Sequence, residues 1–128
     1  MSEHSDLKYT ADHEWVRSDG DVLTVGITRF AADKLGEVVY VELPAAGTRV
    51  TKGQVIAEVE STKSVGEVFA PVDGTIVDVN SAVSDNPELI NDSPFEDGWL
   101  FSIRVSDAAA VESAEFIDLD AYTALTGA

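Results

Sequence analysis

Hydrophobic and polar residues alternate in short runs along most of this chain, and the runs are punctuated by glycine and proline. His13-Glu14-Trp15-Val16-Arg17 and Val22-Leu23-Thr24-Val25 read as two strands joined at an Asp19-Gly20 turn. Thr28 is placed to cap a short helix, Arg29 to Leu35, that stops at Gly36. Glu37 to Leu43 is a β-branched and aromatic strand halted by Pro44. A loop holding Gly47 and Gly53 leads to a strand over Gln54 to Val59, and another runs from Val65 to Ala70. Pro71-Val72-Asp73-Gly74 is a turn before Thr75 to Val79. Residues 81–98 read as a polar loop, and Trp99 to Val105 as the last strand. Near Asp118 to Thr126 a terminal helix would carry Leu119, Tyr122 and Leu125 as a docking stripe. About seven short strands with turns between them predict an all-β sandwich or barrel with short helices and a helical tail.

Composition narrows the chemistry. A chain of 128 residues suits a single domain, here with a core over about 7–105 and an acidic helical extension over about 107–128. No run of residues is long and apolar enough for a membrane-spanning helix. The N-terminus lacks the basic and apolar regions of a secretory signal, so the expected location is the cytoplasm, in a bacterium. There is no cysteine, which removes thiol nucleophiles, thiolate zinc sites and protein disulfides. Any thiol chemistry must therefore come from a cofactor.

Net charge is −16, and the second half holds 13 acids against the single cation Arg104. Such a field repels nucleic acid and anionic lipid and favours basic partner clefts. Other candidate sites are weak. His13-Glu14 has no second histidine four residues on, and His4 stands in a polar tail, so no metal site is expected. Asn91-Asp92-Ser93 matches a glycosylation acceptor by chance, and Trp15 and Trp99 read as core or cleft-wall aromatics.

Lys63 is the last lysine of the chain, set in Val59-Glu60-Ser61-Thr62-Lys63-Ser64-Val65-Gly66-Glu67-Val68 between two strand-like runs. Ser64-Val65-Gly66-Glu67 has the spacing of a capping box, but Gly66, two valines and Pro71 leave no room for a helix. Ser61 to Ser64 also lacks the Gly or Asn of a primed turn, so a hairpin here needs ordinary backbone angles. The residues alone leave two readings open, an ordinary solvated loop lysine and a site of covalent attachment.

The chain resembles the H proteins of the glycine cleavage system. The likeness is carried by Leu7-Lys8-Tyr9-Thr10, His13-Glu14-Trp15-Val16, Val25-Gly26-Ile27-Thr28, Leu35 through Pro44 and Val59-Glu60-Ser61-Thr62-Lys63-Ser64. It continues through Ala70-Pro71-Val72, Pro87-Glu88-Leu89-Ile90-Asn91 and Gly98-Trp99-Leu100. It implies a lipoyl-domain-like barrel-sandwich hybrid of two antiparallel sheets, a non-catalytic carrier, and lipoic acid joined to Lys63 by an amide. The oxidised lipoyl arm would accept an aminomethyl group from glycine after decarboxylation by a pyridoxal-phosphate enzyme, the glycine decarboxylase. It would deliver that group to a tetrahydrofolate-dependent aminomethyltransferase, and a flavin dehydrogenase, the dihydrolipoyl dehydrogenase, would reoxidise it with NAD. Lipoate-attaching enzymes would be further partners, and the carrier itself is expected to be a monomer. Glu14 and Glu67 match acidic positions near the family's arm-receiving cleft. Thr62 and Ser64 flank the lysine where biotin carriers have methionines, which argues against biotin. A lipoyl or octanoyl relay protein and an unmodified interaction domain stand as alternatives.

Overall fold

The structure, a computed structural model, describes residues 7–10, 12–105 and 116–126. Among the described residues nine strands form two antiparallel sheets. The first sheet contains β1 (Lys8–Tyr9), β2 (Glu14–Asp19), β3 (Val22–Ile27), β5 (Arg49–Val50), β8 (Gly74–Val79) and β9 (Phe101–Val105), in the order β1-β2-β3-β9-β8-β5. The second holds β4 (Val38–Glu42), β6 (Val55–Ser61) and β7 (Val65–Phe69), in the order β4-β6-β7. The short helices are α1 (Arg29–Leu35), α2 (Ser81–Asp85), α3 (Glu88–Asp92) and α4 (Leu119–Thr126). This is the all-β, two-sheet, lipoyl-domain-like architecture that the strand pattern and the resemblance predict.

Alternation along each strand builds two layers of packing. Val16, Leu23, Val25, Ile76 and Ile103 of the larger sheet meet Val41, Val59 and Val68 of the smaller in the main core. Trp15 instead joins Leu7, Tyr9 and Tyr122 in a second cluster. Its register partner Gly26 leaves room for the indole, since a Cβ there would lie 2.6 Å from the ring. The indole N–H donates to Pro94 O at 2.8 Å, so a fully buried tryptophan keeps its polar group satisfied.

Several local expectations are corrected. β2 runs on to Asp19, which pairs with Val22, so the two-residue turn is Gly20-Asp21. Gly20 takes the positive φ, 65°. The segment 81–98 is not a continuous loop, because α2 and α3 lie within it. Asn80 starts α2 by accepting from Ala82 N, while its amide donates to Asp97 O and Trp99 O. β1 and β5 are two-residue pairings that carry too little pattern to stand out.

The terminal helix is present, and Tyr122 is buried on it. The expected partners in its stripe, Leu119 and Leu125, have side chains outside those described, and residues 107–115 and 127–128 of the acidic extension also lie outside the description, as does His4. Among the described residues no helix is long and apolar enough to cross a membrane.

Candidate functional site

Lys63 sits exposed at the tip of the β6–β7 hairpin. Ser61 N–H donates to Ser64 O at 2.8 Å and closes the turn. The Ser61 hydroxyl then accepts from Lys63 N–H at 3.2 Å and Ser64 N–H at 3.0 Å, and donates to Ser64 O at 3.1 Å. A serine side chain thus does what a glycine with positive φ does in other tight hairpins. None of these four residues has positive φ, as the lack of Gly and Asn requires.

The hairpin tip is tied from the side. Thr62 N–H donates to Glu37 O at 3.3 Å, and Glu37 belongs to the connection from α1 to β4. Asn91 of α3 fixes that connection with both ends of its amide, donating to Gly36 O at 2.8 Å and accepting from Val38 N–H at 2.9 Å. Gly36 ends α1 with φ 84° and donates its N–H to Ala32 O. A Cβ on Gly36 would lie 3.3 Å from Lys63 Cε and 3.9 Å from its Nζ. Gly36 therefore serves twice, adopting a left-handed backbone and letting the lysine stem lie across the end of α1. The ammonium there meets the negative end of the helix dipole.

Beside the hairpin is a largely apolar cavity of about 310 Å³ between α1 and β7. Phe30, Leu35, Val59 and Val68 supply most of its apolar lining, and Asp12, His13, Lys34 and Glu67 its polar lining. Leu35 touches both structures: it lines the cavity, and its Cδ1 would be 3.3 Å from a Cβ on Gly66. A smaller cavity of about 190 Å³ adjoins, lined by Thr10, Glu14, Lys52, Phe69 and Phe116. Asp12 lines both.

The two carboxylates named from sequence are placed differently. Glu67 is exposed on β7 and lines the larger cavity. Glu14 is 2% exposed and belongs to the smaller one, so it is not a solvated surface residue. Its Oε2 accepts from Phe69 N–H at 2.7 Å, and its Oε1 accepts from the Thr10 hydroxyl at 3.3 Å. Burial pushes the Glu14 carboxyl up to about 8, and the Asp12 charge adds to the rise. The Phe69 and Thr10 hydrogen bonds oppose it without cancelling it. Carboxyls shifted in this way by burial cluster at functional sites.

Three contributors were hidden in the sequence. Ser61 and Asn91 stood in segments of the resemblance, Asn91 also in a chance acceptor motif, but neither segment showed the hydrogen bonds that they make. His13 takes φ 68° just before β2, a left-handed conformation rare in non-glycine residues. No pattern announced it. Among the described residues there is no cluster able to hold a metal ion.

What the site offers is an amine on a hydroxyl-rich turn, next to a largely apolar cleft whose polar lining carries Asp12 and Glu67 together with the cation Lys34. That set fits a lysine-linked acyl arm: Lys63 provides an accessible nitrogen and the cleft an apolar bed. The family model described as "Glycine cleavage H-protein" matches residues 7–127. A glycine cleavage system H protein of Clavibacter sepedonicus is 53% identical over 127 residues, covering 99% of each chain. One from Beutenbergia cavernae is 50% identical over 126 residues, covering 98% of each. The crystal structure of a glycine cleavage system H protein from Mycobacterium marinum superposes with a TM-score of 0.87 at 38% identity, covering 97% of this chain and 98% of that one.

Proposed function

Because the chain belongs to the glycine cleavage H-protein family, the lipoyl carrier of the glycine cleavage system rather than an enzyme, we propose that Lys63 is its attachment site and the adjoining cleft its cargo shelter. The observation that carries the reading is the anchoring of an exposed lysine on a turn tied through Ser61, Glu37 and Asn91. Such a base fixes where a flexible arm begins while leaving its end free to visit several active sites. The attached lipoyl group supplies the disulfide–dithiol chemistry that a cysteine-free chain lacks.

The chain's own residues bind, orient and exclude water. Phe30, Leu35 and Val68 give the cleft an apolar wall, which favours an aliphatic arm over bulk water. Glu67 and Glu14 provide acidic partners for a cationic aminomethyl cargo. Glu14 alone holds its proton at neutral pH, and a neighbouring ammonium would favour the carboxylate. The partners in this reading are the pyridoxal-phosphate glycine decarboxylase, the tetrahydrofolate-dependent aminomethyltransferase, dihydrolipoyl dehydrogenase and a lipoate-attaching enzyme. The carrier works as a single-domain monomer in the bacterial cytoplasm, a setting supported by its bacterial relatives.

The test is glycine–bicarbonate exchange with the decarboxylase. Lys63→Arg keeps the charge but cannot form the amide, and exchange should fall to background. Exchange at the wild-type rate in that variant would refute the assignment.

A further inference from the structure

The C-terminal helix lies outside the cleft, yet one of its atoms bonds to two elements of the cleft wall. Tyr122 Oη is 2.6 Å from Thr28 Oγ1 and 2.9 Å from His13 Nδ1. Thr28 is the N-cap of α1 and accepts from Ala31 N–H, so it sets where that helix begins. α1 supplies Phe30 and Leu35 to the cleft, and His13 lines it as well. The His13 ring leans on Phe30 at 4.8 Å between centroids. Tyr122 itself does not line the cavity.

The ring and the hydroxyl of Tyr122 have separable tasks. The ring stacks on Tyr9 at 4.8 Å and 13°, and Tyr9 and Ile117 exchange two backbone hydrogen bonds of 2.8 Å. These contacts dock the helix without the hydroxyl. The hydroxyl instead joins the helix to His13, whose left-handed backbone is held by His13 N–H to Thr10 O and by Thr28 N–H to His13 O. Proton directions are consistent throughout the chain of bonds. With Nδ1 unprotonated, Thr28 donates to Tyr122 and Tyr122 donates to His13. That arrangement satisfies both hydroxyls, whereas with Nδ1 protonated both bonds would reverse and the buried Thr28 O–H would lose its acceptor.

We propose that the Tyr122 hydroxyl, brought to the cleft wall by the C-terminal helix, is the positioning group that holds the α1–His13 wall opposite β7. This rests on the reading of the cleft as shelter for the arm on Lys63.

The test compares Tyr122→Phe with Ala124→Gly in the full-length protein. The first removes only the hydroxyl; the second weakens the same helix at an exposed position. On unmodified protein, Tyr122→Phe should move the His13 ring ¹⁵N shifts and the amide shifts of Gly66 and Val68. It should also speed amide exchange at Ala31 by about fivefold, as expected for one lost hydrogen bond. On lipoylated protein loaded with the aminomethyl group, release to solvent should be about fivefold faster. Ala124→Gly should match wild type in all of these. Unchanged cleft shifts in Tyr122→Phe would overturn the proposal. So would shifted amides without faster release, or the same changes in Ala124→Gly. The measurements on unmodified protein do not depend on the arm, whereas exchange retained by Lys63→Arg would sink only the assignment of the attachment site.

Discussion

Replacing Glu14 by glutamine should make this protein more stable at neutral pH, and increasingly so as pH rises. The unfolded chain gives up the Glu14 proton near 4.5, whereas the folded protein keeps it until about 8. Between those values folding takes up a proton, so stability falls with rising pH. The full shift corresponds to roughly 5 kcal/mol at about 1.4 kcal/mol per pH unit. From pH 5 to pH 7 the loss is up to about 3 kcal/mol, a large part of the roughly 5–15 kcal/mol typical of a domain. Glutamine has the same shape, can still accept from Phe69 N–H, and has no charge to bury. Urea denaturation followed by the fluorescence of Trp15 and Trp99 would measure both proteins at pH 5, 6, 7 and 8. The stability gap should widen from about 1 kcal/mol at pH 5 to about 3 kcal/mol in favour of Glu14→Gln at pH 7. A gap that stays constant over that range would refute the buried, protonated carboxyl.

Other outcomes follow from the same geometry. Glu14→Gln should also lose its hold on a cationic cargo, so a loaded aminomethyl group should escape to solvent faster; an unchanged rate would remove Glu14 from the shelter. Asn91→Ala strips partners from Val38 N–H and Gly36 O and should cost about 1–3 kcal/mol in urea denaturation. Ser61→Ala should leave global stability within about 1 kcal/mol while speeding amide exchange at Lys63 and Ser64, because their shared acceptor is gone. Gly26→Ala drives a methyl into the Trp15 ring and should destabilise by about 1–3 kcal/mol or more; a neutral effect would mean that the indole is less fixed than described.

The strands that hold Lys63 were readable because β-branched residues recur between turn residues, and the Thr28 and Gly36 signals bounded α1 correctly. The failures share a physical cause. α2 and α3 have five residues each, less than two turns, and depend on Asn80 and on tertiary contacts rather than on periodicity. β1 and β5 have two residues each, too few to show alternation, and β5 is defined by partners far along the chain, Gly74 and Thr75. The lysine's place at a turn tip was legible, but its support was not. Ser61 closes the turn through three hydrogen bonds, and Asn91 reaches the α1–β4 connection 53 residues away. Glu14 shows the same limit from the other side. A glutamate opening a strand has no sequence mark of burial, and only the packing of Thr10 and Phe69 around it reveals a carboxyl that stays protonated.

Attachment itself is the central claim, and peptide-resolved mass spectrometry of the protein made in lipoate-replete cells tests it most directly. The chain has four lysines, Lys8, Lys34, Lys52 and Lys63. Attachment at Lys63 requires one lipoyl increment per chain, confined to the peptide containing Lys63 and lost in Lys63→Arg. A lipoyl group on another lysine, or a persistently unmodified Lys63, would contradict it.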